Sequence, residues 1–288
     1  MSKTATSSGE TKQDDIQLHF LGSVLIHPHA INEVPTPTDL GRWNLIFSFL
    51  DFDLHERLSV RNLCRLFHTV LPGPTFTGVY TIYPHPNHTS LRSLIDRLNA
   101  IASGGGSAEY LFIAKGVHDE GGEVVTIDIP ISIVGKSREH CIVMGGLMMN
   151  GNEEDDVNVS NLTLRESKGN GVFGNNGASI HLDNVSVENS GCCGVVVGGT
   201  KRSTMKNCNV SHSKSSGLCV YGGGLMTIDG NGTTIHYNCT NGNSGHYGLY
   251  TTSSSSFIHL ASSLTIEMIS KNNGGGGNCG GYGTIKTL

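Results

Sequence analysis

The amino-acid sequence predicts a mainly β fold: a right-handed parallel β-helix solenoid over residues 108–288, preceded by a small N-terminal α-helical module and a capping helix. Three observations predict it. A 23-residue unit recurs without gaps, the inward parity of its apolar residues shifts at an asparagine, and glycine reaches 39 of 288 residues, well above the roughly 7% of average usage.

The repeat is carried by VNVSNLTLRESKGNGVFGNNGAS from 157, IHLDNVSVENSGCCGVVVGGTKR from 180 and STMKNCNVSHSKSSGLCVYGG from 203. Asn161, Asn184 and Asn207 share one column, Ser167, Ser190 and Ser213 a second, and Gly171, Gly194 and Gly217 a third. Val159, Leu182 and Met205 form an apolar column, as do Leu162, Val185 and Cys208, then Leu164, Val187 and Val210, then Val172, Val195 and Leu218. Agreement in so many columns marks a structural repeat.

Apolar and polar residues alternate within a unit, which is strand periodicity, but position 159 and positions 162 and 164 share an inward direction only if a corner lies between them. Asn161, Asn184 and Asn207 are therefore expected at corners. Asparagine tolerates the left-handed conformation, and its side-chain amide can bond to the same amide one coil away. Short strands at this period describe one coil of a three-sided solenoid, rising about 4.8 Å per coil. No 3.6-residue apolar pattern supports a leucine-rich or helical repeat here.

The run from 108 continues the pattern less regularly, with Leu111, Ile113, Val125, Ile127, Ile129, Ile131 and Ile133 alternating. This run resembles the opening coils of pectin-lyase-like proteins, and the resemblance implies a helix over the open N-terminal end. SLRSLIDRLNAIAS, 90–103, places Leu91, Leu94, Ile95, Leu98 and Ile101 at helical spacing, and such a helix would hide unpaired strand edges. Further along, Gly248-Leu249 follows Gly217-Leu218 by 31 residues, so Thr233 to His246 is expected to bulge from the solenoid. Phe257, Leu260, Leu264 and Ile266 are expected to line a last coil, and the glycine run 274–283 to form its wide turn or a flexible surface loop.

Residues 39–75 differ sharply in composition, with few glycines and apolar residues at helical spacing. Asp51 to Asp53 supply plausible N-cap residues between short helices. The stretch resembles an F-box, on Leu40, Trp43, Ile46, Phe47, Phe49, Leu50, Leu54, Leu58, Val60, Cys64 and Phe67. That resemblance implies docking on a Skp-family adaptor of a cullin ubiquitin ligase. It departs from the family in opening Asp39-Leu40-Gly41 where Leu-Pro is usual. A second reading is purely structural: two apolar helical faces packing across the end of the solenoid as a cap. Residues 1–38 begin polar and read as a partly disordered segment, although IQLHFLGSVLIHPHAI from 16 could add a local element. Residues 76–107 read as a connector carrying the capping helix.

Charge and composition exclude several functions. Charged residues are 15% of the chain and the net charge is −5 with 14 His neutral, so no basic face is offered to nucleic acid or to an anionic membrane. No apolar run approaches the roughly 20 residues that span a bilayer, and the polar N-terminus has no signal-peptide pattern, so an intracellular chain, cytoplasmic or nuclear, is expected. The 8 Cys lack paired metal-site spacing and read as reduced thiols, mostly small apolar core residues; no metal and no cofactor is expected. Seven N-x-S/T sequons read as accidents of asparagine corners followed by small polar residues.

Polysaccharide lyases and hydrolases need carboxylates or cation ligands clustered on an outer face. The outward column 165/188/211 reads Arg, Glu, Ser, and 160/183/206 reads Ser, Asp, Lys; adjacent charges are of opposite sign, as in a quiet surface ladder. Glu153 to Asp156 reads as a solvated acidic loop, and His181, His212, His236, His246 and His259 look scattered. No catalytic residue is assigned. The favoured reading is a non-catalytic interaction protein whose helical module engages an adaptor and whose solenoid recognises a target protein or glycan, with Phe173, Val196 and Tyr250 as outward apolar contacts. The alternative is a polysaccharide-active enzyme of the pectin-lyase-like kind.

Overall fold

The computed structural model describes residues 80–288 except 86, 107, 153, 200 and 201. The F-box-like segment 39–75, and with it Leu40, Trp43, Ile46, Phe47, Leu50, Leu54, Leu58, Cys64 and Phe67, lies outside the described residues, as does 1–38.

The described chain winds as a right-handed parallel solenoid of about 8 turns with three faces. The first face is a sheet of β1 (Tyr80–Tyr83), β2 (Tyr110–Ile113), β4 (Ile131–Gly135), β6 (Asp156–Ser160), β9 (Ser179–Asp183), β12 (Ser203–Lys206), β15 (Leu225–Asp229), β18 (Phe257–Leu260) and β21 (Thr284–Thr287), in that spatial order. The other two faces fan out from one long strand, β5 (Cys141–Asn150), which pairs along one edge with β3 (Gly116–Ile127). The first half of β5 leads to β7 (Thr163–Arg165), β10 (Ser186–Glu188), β13 (Asn209–Ser211), β16 (Thr234–His236) and β19 (Ser270–Lys271), the second face. Its second half leads to β8 (Val172–Asn175), β11 (Val195–Gly198), β14 (Leu218–Tyr221), β17 (Leu249–Thr251) and β20 (Cys279–Gly281), the third face. β1, in the segment read as a connector, is already the first strand of the solenoid.

Each apolar column of the repeat points inward. Val159, Leu182, Met205, Leu162, Val185, Cys208, Leu164, Val187, Val210, Val172, Val195 and Leu218 are all buried in one continuous core. Asn161, Asn184 and Asn207 stand at the corner between first and second faces with φ of 56°, 54° and 52°. Asn184 Nδ2 donates to Asn161 Oδ1 at 2.9 Å across 23 residues. Gly171, Gly194 and Gly217 answer a different need, since their φ is not positive. A Cβ on Gly194 would collide with Val210 Cγ1 and come within 2.9 Å of Ser213 Oγ, and one on Gly171 would collide with Val187 Cγ1. The buried valine and serine rows occupy the space a side chain would need.

The N-terminal end is closed by α1 (Leu91–Ser103), which buries Leu91, Leu94, Ile95 and Leu98. Asn99 ties the helix to a strand edge, donating to the Thr126 carbonyl at 3.2 Å and accepting from the Asp128 N–H at 3.1 Å.

The irregular coils depart from the expectations. Thr234–His236 belongs to β16 rather than to a bulge, so the inserted residues are split. Asn209 pairs with Thr234, 25 residues on, the two extra residues falling in the Gly230–Gly232 corner. The remainder of the 31-residue offset falls in the loop 237–248. On β18 the inward residues are Ile258 and Leu260, not Phe257. That coil is not the last, because the glycine run 274–283 contains strand β20, paired with β17, and β21 follows. Gly280 and Gly276 are small because the Tyr247 ring lies against both.

Candidate interaction site

Two outer surfaces gather chemistry-bearing side chains. On the third face, strand pairing stacks Met148, Phe173, Val196, Cys219, Tyr250 and Gly280 in one outward row. Phe173, Val196 and Tyr250 are thus brought into a single line. Val196 is only 8% exposed, however, so it underlies the row instead of offering a contact. Contact area comes instead from rings beside the row: Phe173 lies 6.4 Å from Tyr221, Tyr247 lies 5.4 Å from Tyr250, and Tyr282 is 79% exposed.

On the second face, Arg138, Glu139, Thr163, Arg165, Ser186, Glu188, Asn209, Thr234 and His236 line a groove of about 440 Å³. Its floor is a continuous hydrogen-bonded chain. Arg165 grips Glu188 Oε2 through Nε at 2.9 Å and a terminal nitrogen at 2.8 Å, and Ser186 Oγ donates to Glu188 Oε1 at 2.8 Å. Asn209 Nδ2 donates to Ser186 Oγ at 3.0 Å, which leaves Asn209 Oδ1 to accept from Thr234 Oγ1 at 3.0 Å and from His236 Nε2 at 2.8 Å. The chain therefore sets the tautomer: neutral His236 carries its proton on Nε2, and its buried Nδ1 lone pair is unpartnered. Burial, and secondarily His212, push the His236 pKa below the usual imidazole value. Both Glu188 oxygens are engaged, and Glu139 is held below the usual carboxylate range, chiefly by a hydrogen bond to its own backbone.

The rim of this groove is a second left-handed corner. Glu166, Asn189, His212 and Tyr237 have φ of 57°, 56°, 59° and 54°, a conformation uncommon for residues other than Gly and Asn. His236 packs against Tyr237 at 5.0 Å and against His212 at 6.2 Å, with His212 and Tyr237 5.5 Å apart. The histidines that look scattered in the sequence thus include a cluster. The signal was masked by the two extra residues at Gly230–Gly232: counted at a period of 23, His236 falls on Ser213, whereas strand pairing sets it against Ser211.

The first face carries a smaller polar group. His181 bonds Thr204 Oγ1 at 2.9 Å and Asp156 at 3.2 Å, and Arg202 lies 3.3 Å from the same carboxylate. Asp183 neighbours Lys206 in register. Among the described residues no cluster of three or more His, Cys, Asp or Glu side chains is arranged to hold a metal ion, and no helix is long and apolar enough to cross a membrane.

Residues 145–283 match the family model of the right handed beta helix region. No curated protein and no solved structure matches the chain.

Proposed function

We propose that this chain is a non-catalytic interaction protein, an F-box-type substrate adaptor in which residues 39–75 dock on a Skp-family partner of a cullin ubiquitin ligase and the β-helix recognises a target protein or glycan. The observation that supports a recognition role is the second-face groove: six polar side chains, Arg165, Glu188, Ser186, Asn209, Thr234 and His236, are joined in one hydrogen-bonded chain, with both Glu188 oxygens engaged. A floor built this way presents fixed donors and acceptors to a ligand, while a general acid needs a carboxyl free to give up its proton. The rings of Phe173, Tyr221, Tyr247 and Tyr250 add a second contact surface.

Affinity capture with the full chain and with a chain lacking residues 1–75 tests this reading. The full chain should retain a Skp-type adaptor that the truncated chain loses, while both retain the same target. Absence of the adaptor from both captures would overturn the docking role.

One observation favours the enzymatic alternative. The groove and its rim carry two further carboxylates, Glu139 and Glu166, near a histidine with a free lone pair. Depolymerisation of pectin-like polymers by the full chain, abolished by Glu139→Gln or by Glu166→Gln, would establish that reading in place of the first.

A further inference from the structure

Side chains from three successive coils meet on the first face: Asp156 of β6, His181 of β9 and Thr204 of β12. His181 and Thr204 are direct neighbours in register, and Asp156, set opposite Ser179, reaches His181 diagonally. His181 Nε2 lies 3.2 Å from Asp156 Oδ1, and His181 Nδ1 lies 2.9 Å from Thr204 Oγ1. Arg202 lies 3.3 Å from the same carboxylate oxygen and holds it in place. A carboxylate oxygen only accepts, so the imidazole proton sits on Nε2 and the Nδ1 lone pair is left to receive the Thr204 hydroxyl hydrogen. A nucleophile, a base and an orienting group are thus joined in the order that acyl transfer needs. Thr204 is exposed, and with His181, Asn158 and Lys206 it lines a hollow of about 570 Å³.

Other hydroxyls near an imidazole lack one of these parts. Ser93 lies 2.7 Å from His88 Nδ1 and Ser137 2.9 Å from His140 Nδ1, but among the described residues neither ring is paired with a carboxylate. In the second-face groove the Thr234 hydroxyl and the His236 N–H both point at Asn209 instead of at each other.

We propose that Thr204 is an acyl-acceptor site: a nucleophilic hydroxyl that takes the acyl group of an activated ester, with His181 as its base and Asp156 as a positioning residue. His181 Nδ1 removes the hydroxyl proton as Thr204 Oγ1 attacks the acyl carbon, giving a tetrahedral oxyanion. The oxyanion collapses, the bond to the leaving oxygen breaks, and His181 returns the proton to that oxygen. The products are an acyl-threonine ester and an alcohol or phenol, and no atom changes oxidation state. Lys206, two residues on from Thr204 and outward on the same strand, places a cation on the side where the oxyanion develops. Asp156 and Arg202 fix the ring so that Nδ1 faces the hydroxyl. The acyl group stays on the threonine, so the transfer is stoichiometric. It lies on a different face from the second-face groove and does not rest on the docking or recognition reading.

Treatment of the full chain with p-nitrophenyl acetate, followed by digestion and peptide mapping by mass spectrometry, tests the assignment. The expected product carries an acetyl group on Thr204 that hydroxylamine removes, as it removes an ester and not an amide. Labelling of Thr204 should exceed that of Ser93 and Ser137, which have an imidazole but no carboxylate behind it. Its rate should rise with pH along a single titration. His181→Ala should abolish that titration and slow labelling by on the order of a hundredfold. Asp156→Asn should move the titration to lower pH, because it removes the charge that favours the imidazolium. Acetyl groups confined to lysines such as Lys206, labelling of Ser93 or Ser137 equal to that of Thr204, or a rate unchanged in His181→Ala would each overturn the proposal. The acetylation map of the unaltered chain decides the matter even where a variant fails to fold.

Discussion

Both carboxylate oxygens of Glu120 close the first turn of α1: Oε1 accepts the Leu91 N–H at 2.6 Å and Oε2 that of Arg92 at 3.2 Å. Ser90 Oγ accepts the Ser93 N–H at 3.1 Å, so three otherwise orphaned donors are satisfied from two sources. Glu120 is itself buried and belongs to β3, which makes it a clamp between the end helix and the first coils. Its negative charge also faces the positive end of the helix dipole. Glu120→Ala should therefore cost about 2 kcal/mol, the range for leaving buried donors unpaired. Urea denaturation followed by far-UV circular dichroism checks this, and an unchanged midpoint would show that α1 does not depend on the clamp.

Gly194 tests the close packing behind the glycine column. Its Cβ would meet Val210 Cγ1, the Gly217 carbonyl at 2.7 Å and Ser213 Oγ at 2.9 Å, none of them the free end of a long side chain. Gly194→Ala should destabilise the fold by about 1–3 kcal/mol through overpacking. Gly199, on the third-to-first corner, has nothing within 4 Å of its Cβ position, and its φ of 76° sets the strain an alanine would carry. Gly199→Ala should thus cost about 1 kcal/mol from backbone strain alone. Thermal unfolding reads both losses, and a Gly194→Ala variant as stable as the unaltered chain would contradict the packing account.

The parts of the fold legible in the sequence are those where one physical requirement repeats at one spacing. Asn161, Asn184 and Asn207 meet the same corner three times, and Val187 and Val210 fill the same layer, so column alignment finds them. The groove rim was not legible, because Glu166, His212 and Tyr237 adopt the left-handed conformation without being Gly or Asn, and residue type gives no hint of it. Two extra residues at Gly230–Gly232 then displaced His236 from its apparent column. Strand β20 was hidden for a different reason: Gly280 reads as a turn residue, yet it is small only to admit the Tyr247 ring. Val196 shows a further limit, since an outward position on a strand does not reveal what covers it.

Asn184 separates conformation from hydrogen bonding at the corner. Its φ of 54° and its 2.9 Å bond to Asn161 are independent contributions. Asn184→Gly keeps the backbone comfortable and loses the bond, a net loss of about 1 kcal/mol. Asn184→Ala loses the bond and adds left-handed strain, for a total of about 2–3 kcal/mol. Chemical denaturation of both variants gives the order, and a glycine variant less stable than the alanine variant would show that strain is not the larger cost.

His236 sets the expected response to acid. Its Nε2 proton is committed to Asn209 Oδ1, its Nδ1 is buried without a partner, and burial followed by the neighbouring His212 lowers its pKa. His259, also with a buried unpartnered nitrogen, is lowered by burial and then by Lys286. His85 is lowered by burial and then by His88. In each case the unfolded chain takes up a proton near the ordinary value of about 6.5 while the folded chain still resists it. The unfolded state then binds more protons, so stability is fully present above that value, declines as pH falls through the window down to the depressed folded values, and levels off below them. Thermal unfolding measured from pH 7.5 to 5 should show that decline. His236→Gln cannot titrate, and its amide can still donate toward Asn209, so it should flatten part of the slope without changing its sign. A His236→Gln profile as steep as that of the unaltered chain would place the acid sensitivity in the other histidines and leave His236 without the unpaired, desolvated nitrogen that the groove geometry gives it.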